Sequence, residues 1–338
     1  MRIYQHLKPR QIYILIILGV GSVVAFILSL LFGAFSIPVL NMLSGNATTL
    51  QIEILSQIRG PRVFLTIFVG AALGISGAAL QGLFRNPLAD PGLIGVSAGA
   101  ALGAVLAIIF SSNLLSKISL GVYAVPLSAT VGASVVIALL FFLTRGFTQA
   151  GVTYMLLVGI AVNALATVGI GLLTFISTDS QLRGLTFWLM GSFGGARWSL
   201  IIPAIFIISF AIGCMLIYSR RLDLMQLGEN EARRLGVNVR RVKIIIILSA
   251  AFMIGASVSL SGIIGFVGLV VPHLVRLIGG PNHAYLLPGS ALLGGGLMML
   301  ADLTSRIVIQ PAELPVGLAT SALGAPFFLW LVLRLKKS

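Results

Sequence analysis

Nine apolar runs follow one another along this chain, most of them about as long as the hydrocarbon core of a bilayer is thick. In hydrocarbon a backbone must satisfy its own N–H and C=O groups, which for runs of about 20 residues means α-helices. The runs cover 12–34, 63–83, 92–110, 121–143, 152–176, 199–218, 242–278, 286–301 and 314–333. The seventh is too long for one crossing. Ser261, Gly262 and Gly265 offer a place to turn and Pro272 breaks the helix further on, so it divides near residue 261. The expected fold class is therefore an all-α membrane protein with ten transmembrane helices in one domain, 1–338. With 58% hydrophobic and 9% charged residues and a mean hydropathy of +1.09, no soluble core would hide this much apolar surface. The start, with Arg2, Lys8 and Arg10 before the run 12–34, has the charge pattern of a signal peptide. Its apolar part is too long for one and no small-residue cleavage site stands out, so it is read as the first span.

The basic residues test the count. Arg2, Lys8, Arg10, Arg85, Arg145, the seven basic residues of 220–243, Arg276, Arg334, Lys336 and Lys337 fall on one side, and Arg59, Arg62, Lys117, Arg183, Arg197 and Arg306 on the other. The positive-inside bias puts both termini in the cytoplasm, as an even number of spans requires. A formal charge of +14 split among loops in this way builds no basic face for nucleic acid. The single cysteine, Cys214, lies in an apolar run and supports neither a disulfide framework nor a cysteine metal site.

Only between Ser219 and Lys243 do charges crowd together. Gly228 and Gly236 bracket ENEARRL there, with Glu229 and Glu231 early and Arg233 and Arg234 late, the order a helix dipole favours. This reads either as a short surface helix between the sixth and seventh spans, within a segment of about 224–240, or as a solvated loop carrying positive-inside charge. Gly70 and Gly74, and Gly95, Gly99 and Gly103, have the spacing of close helix packing, expected within one polypeptide rather than at a dimer seam. PRVFLTIFVGAALGISGAALQG (61–82) and RRVKIIIILSAAFMIGASVSLSG (240–262) hint at an internal repeat whose copies run in opposite directions.

What is missing bears on the energy source. All eight acidic residues lie in loops or at span ends, and no span carries the mid-membrane carboxylate that ion-coupled carriers usually keep. No phosphate-binding GxxxxGK[ST] loop occurs, and GIGLLT at 169–174 lacks the third glycine of a dinucleotide fingerprint. A secondary carrier or passive channel is disfavoured on the first ground. A membrane enzyme is disfavoured by the lack of any cluster of His, Cys or carboxylates. If the chain moves something uphill, another subunit must drive it.

Five stretches, in order, resemble the FecCD family: RGPR at 59–62, LQGLFRNPLADPGLIGVSAGA at 80–100, LGENEARRLGV at 227–237, GFVGLVVPHLVRLIGG at 265–280, and ADLTSR with ELPVGLATSALGAPFFLWLVL between 301 and 333. These are permease subunits of bacterial ABC importers for iron–siderophore chelates, haem and cobalamin. The resemblance implies ten helices per subunit and a homodimer in the bacterial inner membrane. It also implies two cytoplasmic ATP-binding subunits, a periplasmic or lipid-anchored substrate-binding protein, and no cofactor of the chain's own, ATP being bound by its partner. The chain would be a transport subunit and not an enzyme, and the overall likeness leans to haem.

Carried over residue by residue, the resemblance makes Gly228, Glu229, Glu231, Ala232, Arg233, Leu235 and Gly236 the coupling helix that seats in the ATPase. It makes Arg59, Arg62 and Arg306 exposed docking residues for the binding protein, with the anchoring of a helix end at the headgroups as the less favoured reading of Arg59 and Arg62. Asn86 and Leu88, in a loop shaped by Pro87 and Pro91, become the cytoplasmic gate, with Thr153 beside them. Asn163 lies in a helix that lines the pathway, where it either meets the ligand or bonds a neighbouring helix. His273 and Arg276 are read as structural or gating residues rather than a metal site. Trp188, Trp198 and Trp330 suit interfacial positions, Trp188 within a short external helix.

Overall fold

The computed structural model describes residues 7–33, 35, 48–110, 120–143, 149–310 and 312–335, and among them all regular structure is helical. Helix α1 (Pro9–Leu31) is followed by α2 (Thr49–Glu53), which passes through a π-helical turn (Ile54–Arg59) into α3 (Gly60–Phe84). A 3-10 turn (Pro91–Ile94) leads to α4 (Val96–Phe110), then α5 (Ala124–Leu143), α6 (Gln149–Phe175) and the short α7 (Asp179–Leu189), which contains Trp188. Next come α8 (Trp198–Ile217), α9 (Ser219–Met225), α10 (Glu229–Arg234), α11 (Val239–Ser261), α12 (Val267–Gly279), α13 (His283–Ile307) and α14 (Val316–Leu335).

Seven of the described helical stretches are long and apolar enough to cross a membrane; the apolar helices Val96–Phe110 and Val267–Gly279 are shorter, and the apolar stretch Val316–Trp330 lies within the 20-residue α14. At 1.5 Å per residue the 13 residues of α12 span about 20 Å, less than the roughly 30 Å of hydrocarbon. The long run does divide where expected. Gly262 at φ +70° ends α11, and its α-hydrogen faces the Trp188 carbonyl so closely that any side chain would collide. The turn takes five residues, which shortens α12. Pro272, expected to break the helix, lies inside α12 instead. A proline there leaves the carbonyl four residues back without its helical donor, and the Gln81 amide reaches that Gly268 oxygen at 3.4 Å.

Helix α3 is the buried centre, and α1 and α6 are the most exposed spans. Large apolar side chains such as Phe206, Phe210 and Leu165 project outward, as a bundle solvated by lipid requires. With lipid as apolar as the side chains, helices associate through close packing, and glycine permits it. A Cβ on Gly70 would collide with the Gly294 carbonyl, one on Gly74 with that of Ser290, and one on Gly77 with that of Gly268, so α3 lies backbone to backbone on α13 and α12. Gly99 and Gly103 of α4 press likewise on Gly132 and Ser128 of α5. The small-residue spacing thus serves contacts within the chain.

The bundle has two distinct ends. At one, Arg10 and Gln11 of α1 donate to the Ile278 and Gly279 carbonyls of α12 at 3.1 and 2.8 Å, and Gln226, just past α9, donates to the Gly82 carbonyl of α3 at 2.6 Å. Because α3 ends beside the segment from which α11 starts, these two helices run in opposite directions, the relation expected of the weak repeat. At the other end lie Arg59, Arg62, Asp302, Arg306 and Glu313. Of the topological charges, Arg2, Lys117, Arg145, Lys336 and Lys337 lie outside the described residues.

Candidate functional site

The charged stretch folds as a helix, α10, rather than as a loop. Gly228 (φ +106°) precedes it and Gly236 (φ +81°) follows it, both in backbone regions that side-chain-bearing residues rarely enter. One face is rooted in the bundle. Ala232 is fully buried, and Glu229, nearly so, meets the wholly buried Lys243 of α11 at 2.6 Å. The other face is free: Glu231 and Arg234 pair at 2.9 Å while remaining largely exposed, Arg233 is exposed, and Leu235 is 57% exposed. Arg233 approaches Glu229 only to 3.9 Å. The outer face of this rooted short helix thus presents one apolar side chain among charges.

The loop after α3 continues this end. Arg85 takes the left-handed position at the end of α3 (φ +52°), and exposed Asn86 turns its side-chain oxygen to the Leu88 N–H at 3.0 Å. Leu88 is partly buried. Asp90 caps the 3-10 turn through the Gly92 N–H at 2.6 Å, and burial pushes its carboxyl above the usual range, only partly offset by that bond. Asn163 of α6 donates to the Gly92 carbonyl at 3.2 Å. The asparagine thus bonds its own chain, and it ties α6 to the loop that holds Asn86 and Leu88. The backbone of Thr153 belongs to α6; its side chain lies outside the description.

At the opposite end the arginines are not exposed, which corrects that expectation. Arg59, Arg62 and Arg306 are 4%, 6% and 4% exposed. Arg62 holds Asp302 through Nε and Nη2 at 2.8–3.1 Å and Glu313 through Nη1 at 2.9 and 3.0 Å. Arg306, one turn from Asp302, meets it at 3.1 Å. Arg59 donates to the Leu30 and Leu31 carbonyls at 2.7 Å and to that of Phe35. Buried guanidinium groups need partners, and α1, α13 and the Glu313 loop supply most of them, Arg306 Nε having an ion pair with Asp302 but no hydrogen bond among the described residues. The cluster still holds three cations against two carboxylates.

Reading by residue type missed several partners. Lys243 counted only as a cytoplasmic charge. The Asp302–Arg306 spacing of four was legible as a helix pair, whereas Arg62–Asp302 spans 240 residues and has no local signal. Asp223 of α9 accepts both the backbone N–H of His283 at 2.9 Å and its Nδ1 at 2.6 Å, binding the charged segment to the start of α13.

Comparison with known proteins agrees with this architecture. The model of the FecCD transport family matches residues 21–334. The hemin transport system permease protein HmuU of Yersinia pestis is 44% identical over 321 residues, covering 95% of this chain and 93% of that protein. The vitamin B12 import system permease protein BtuC of Serratia proteamaculans is 39% identical, with 95% and 93% covered. Among solved structures, an inward-facing metal-chelate type ABC transporter superposes with a TM-score of 0.84 at 34% identity, covering 95% of this chain and 99% of the other. With a match along nearly its whole length, this chain belongs to the FecCD transport family.

Proposed function

We propose that the chain is the membrane-spanning permease subunit of an ATP-driven, binding-protein-dependent importer, with haem as its cargo. The observation that carries this reading is α10: Glu229 and Ala232 root it while Glu231, Arg233, Arg234 and Leu235 face outward. Such a helix can pass rigid-body motion from a separate ATPase to α11. In this reading the chain crosses the inner membrane ten times with both termini in the cytoplasm, the seven long stretches together with α4, α12 and α14 making the ten. It pairs as a homodimer with two ATP-binding subunits on the α10 side and a substrate-binding protein on the other. Arg59, Arg62 and Arg306 act there through the excess positive field of their cluster, which steers an acidic partner more than it adds affinity. Asn86, Leu88 and Thr153 form the cytoplasmic gate, and Asn163 couples the pathway helix to it through Gly92.

Haem comes first because the hemin permease has the higher identity over the same coverage. Cobalamin is the second reading, supported by the vitamin B12 permease at 39%. Ferric siderophores form the remaining class. Uptake into proteoliposomes holding the chain with its ATPase and binding protein decides between them. Haem accumulation that needs all three components and ATP is the expected result. Uphill accumulation by the chain alone overturns the reading, and preference for cobalamin under competition replaces the cargo.

A further inference from the structure

At the end of the bundle that carries α10, a cavity of about 220 Å³ opens between the close of α3, α9, the close of α12 and the start of α13. Its polar wall is made by Gln81, Arg85, Gln226, Arg276 and His283, and among the described residues no carboxylate lines it. Arg276 donates through Nη2 to Gln81 Oε1 at 2.9 Å, but its Nη1 is buried with no hydrogen-bond partner among the described residues. A guanidinium has only donors and does not shed its charge in proteins, so an unanswered buried N–H on it is costly. The Nε2 of His283 is also buried without a partner. The acids Asp223 and Glu229 already have partners, Asp223 the Nδ1 of His283 from the same wall and Glu229 the buried Lys243.

The backbone adds a second sign. The close of α3 is a Schellman motif, with Asn86 N–H on the Gln81 carbonyl at 3.1 Å and Arg85 N–H on that of Gly82 at 3.2 Å. The residue at its left-handed position is normally glycine. Here it is Arg85, at φ +52°. Arg85, a residue of the cavity wall, is thus held in a conformation that an arginine rarely adopts. The volume exceeds several times the roughly 30 Å³ share of one water molecule, enough for a tetrahedral oxyanion and its hydration.

We propose that this cavity binds a phosphate-class oxyanion, taken between Arg276 Nη1 and Arg85. The occupant links the ends of α3 and α12 to the α9–α10 segment, because Gln226 of the same wall bonds the Gly82 carbonyl. The inference stands whatever the transported cargo is. The phosphate is either free inorganic phosphate or the headgroup of an anionic phospholipid.

The test uses the nucleotide-free transporter complex in nanodiscs, as wild type, Arg276→Gln and Arg85→Gly. The glycine variant relieves the left-handed strain, so loss of binding in it is not loss of folding. In pure phosphatidylcholine, inorganic phosphate is titrated while thermal unfolding is followed. Any phosphate held by the ATPase subunits is common to all three proteins and cancels. In a second arm without phosphate, phosphatidylglycerol retained by the complex is counted by native mass spectrometry from mixed-lipid discs. A phosphate response whose midpoint rises tenfold or more in both variants supports the site with free phosphate as occupant. Phosphatidylglycerol retention lost in both variants supports it with the headgroup as occupant. If wild type and variants behave alike in both arms, the cavity holds water only and the proposal is overturned.

Discussion

Replacing Glu229 with leucine should detach α10 from the bundle while leaving the spans in place. The Glu229–Lys243 contact at 2.6 Å corresponds to an attraction of about 6 kcal/mol at an effective dielectric constant of ~20. Most of that is offset by the cost of taking both ions out of water. What the substitution uncovers is different: a wholly buried ammonium without its carboxylate, which costs about 3–5 kcal/mol. If that cost falls on the docking of α10 against α11, the docked fraction drops by about two to three and a half decades. Hydrogen exchange reads this directly, as lost protection of the amides from Ala232 to Val237, whose bonds hold the helix and its closing turn. Transported cargo per ATP should fall with it. The double variant Glu229→Leu with Lys243→Met removes both charges and should recover most of the protection, since a buried pair replaced by apolar groups is often neutral. Unchanged exchange in the single variant, or a double variant no better than the single, would refute the reasoning.

Asp302→Asn should destabilise by about 3–5 kcal/mol because it removes the buried carboxylate that Arg62 and Arg306 share, whereas Glu313→Gln, whose side chain is 44% exposed, should cost about 1 kcal/mol or less; unfolding in denaturant ranks them. Gly294→Val drives side-chain atoms into the Gly70 carbonyl and should cost about 1–3 kcal/mol or more, seen as a lowered Tm. Gly236→Pro is incompatible with φ +81° and removes the N–H that bonds the Arg233 carbonyl at 3.0 Å. Membrane insertion should stay normal while ATP hydrolysis uncouples from uptake. Because burial raises the Asp90 carboxyl, the folded state holds its proton more tightly than the unfolded chain. That residue therefore favours folding at low pH, and the gain is lost as pH rises from the unfolded to the folded value. Asp90→Asn should flatten this part of a stability–pH curve measured against wild type.

How much of this was legible in the sequence follows from the range of the forces involved. Runs of apolar residues fix helices because hydrocarbon leaves the backbone no other choice. The break after Ser261 was visible in Gly262, and the ends of α10 in Gly228 and Gly236. Helix lengths were less so: the turn through Phe266, itself at φ +66°, takes residues from α12 that hydropathy assigns to a span. Pro272 misled because its effect depends on Gln81, nearly two hundred positions away. The arginines were picked out as a group, but their burial rests on Glu313, the carbonyls of α1 and the distant Arg62–Asp302 pair, which local spacing does not announce; only Asp302–Arg306 was open to it.

The meeting of α3 and α13 leaves no room for one to slide along the other, since each presents glycine where the other presents backbone oxygen. Two rods locked at mid-length can tilt only as a single spar. One end of that spar carries Arg62 and Asp302, and the other carries His283 in the grip of Asp223. A displacement received at one face of the bundle is then carried along this pair as one body, and Pro288 inside α13 marks the place where that rod can yield.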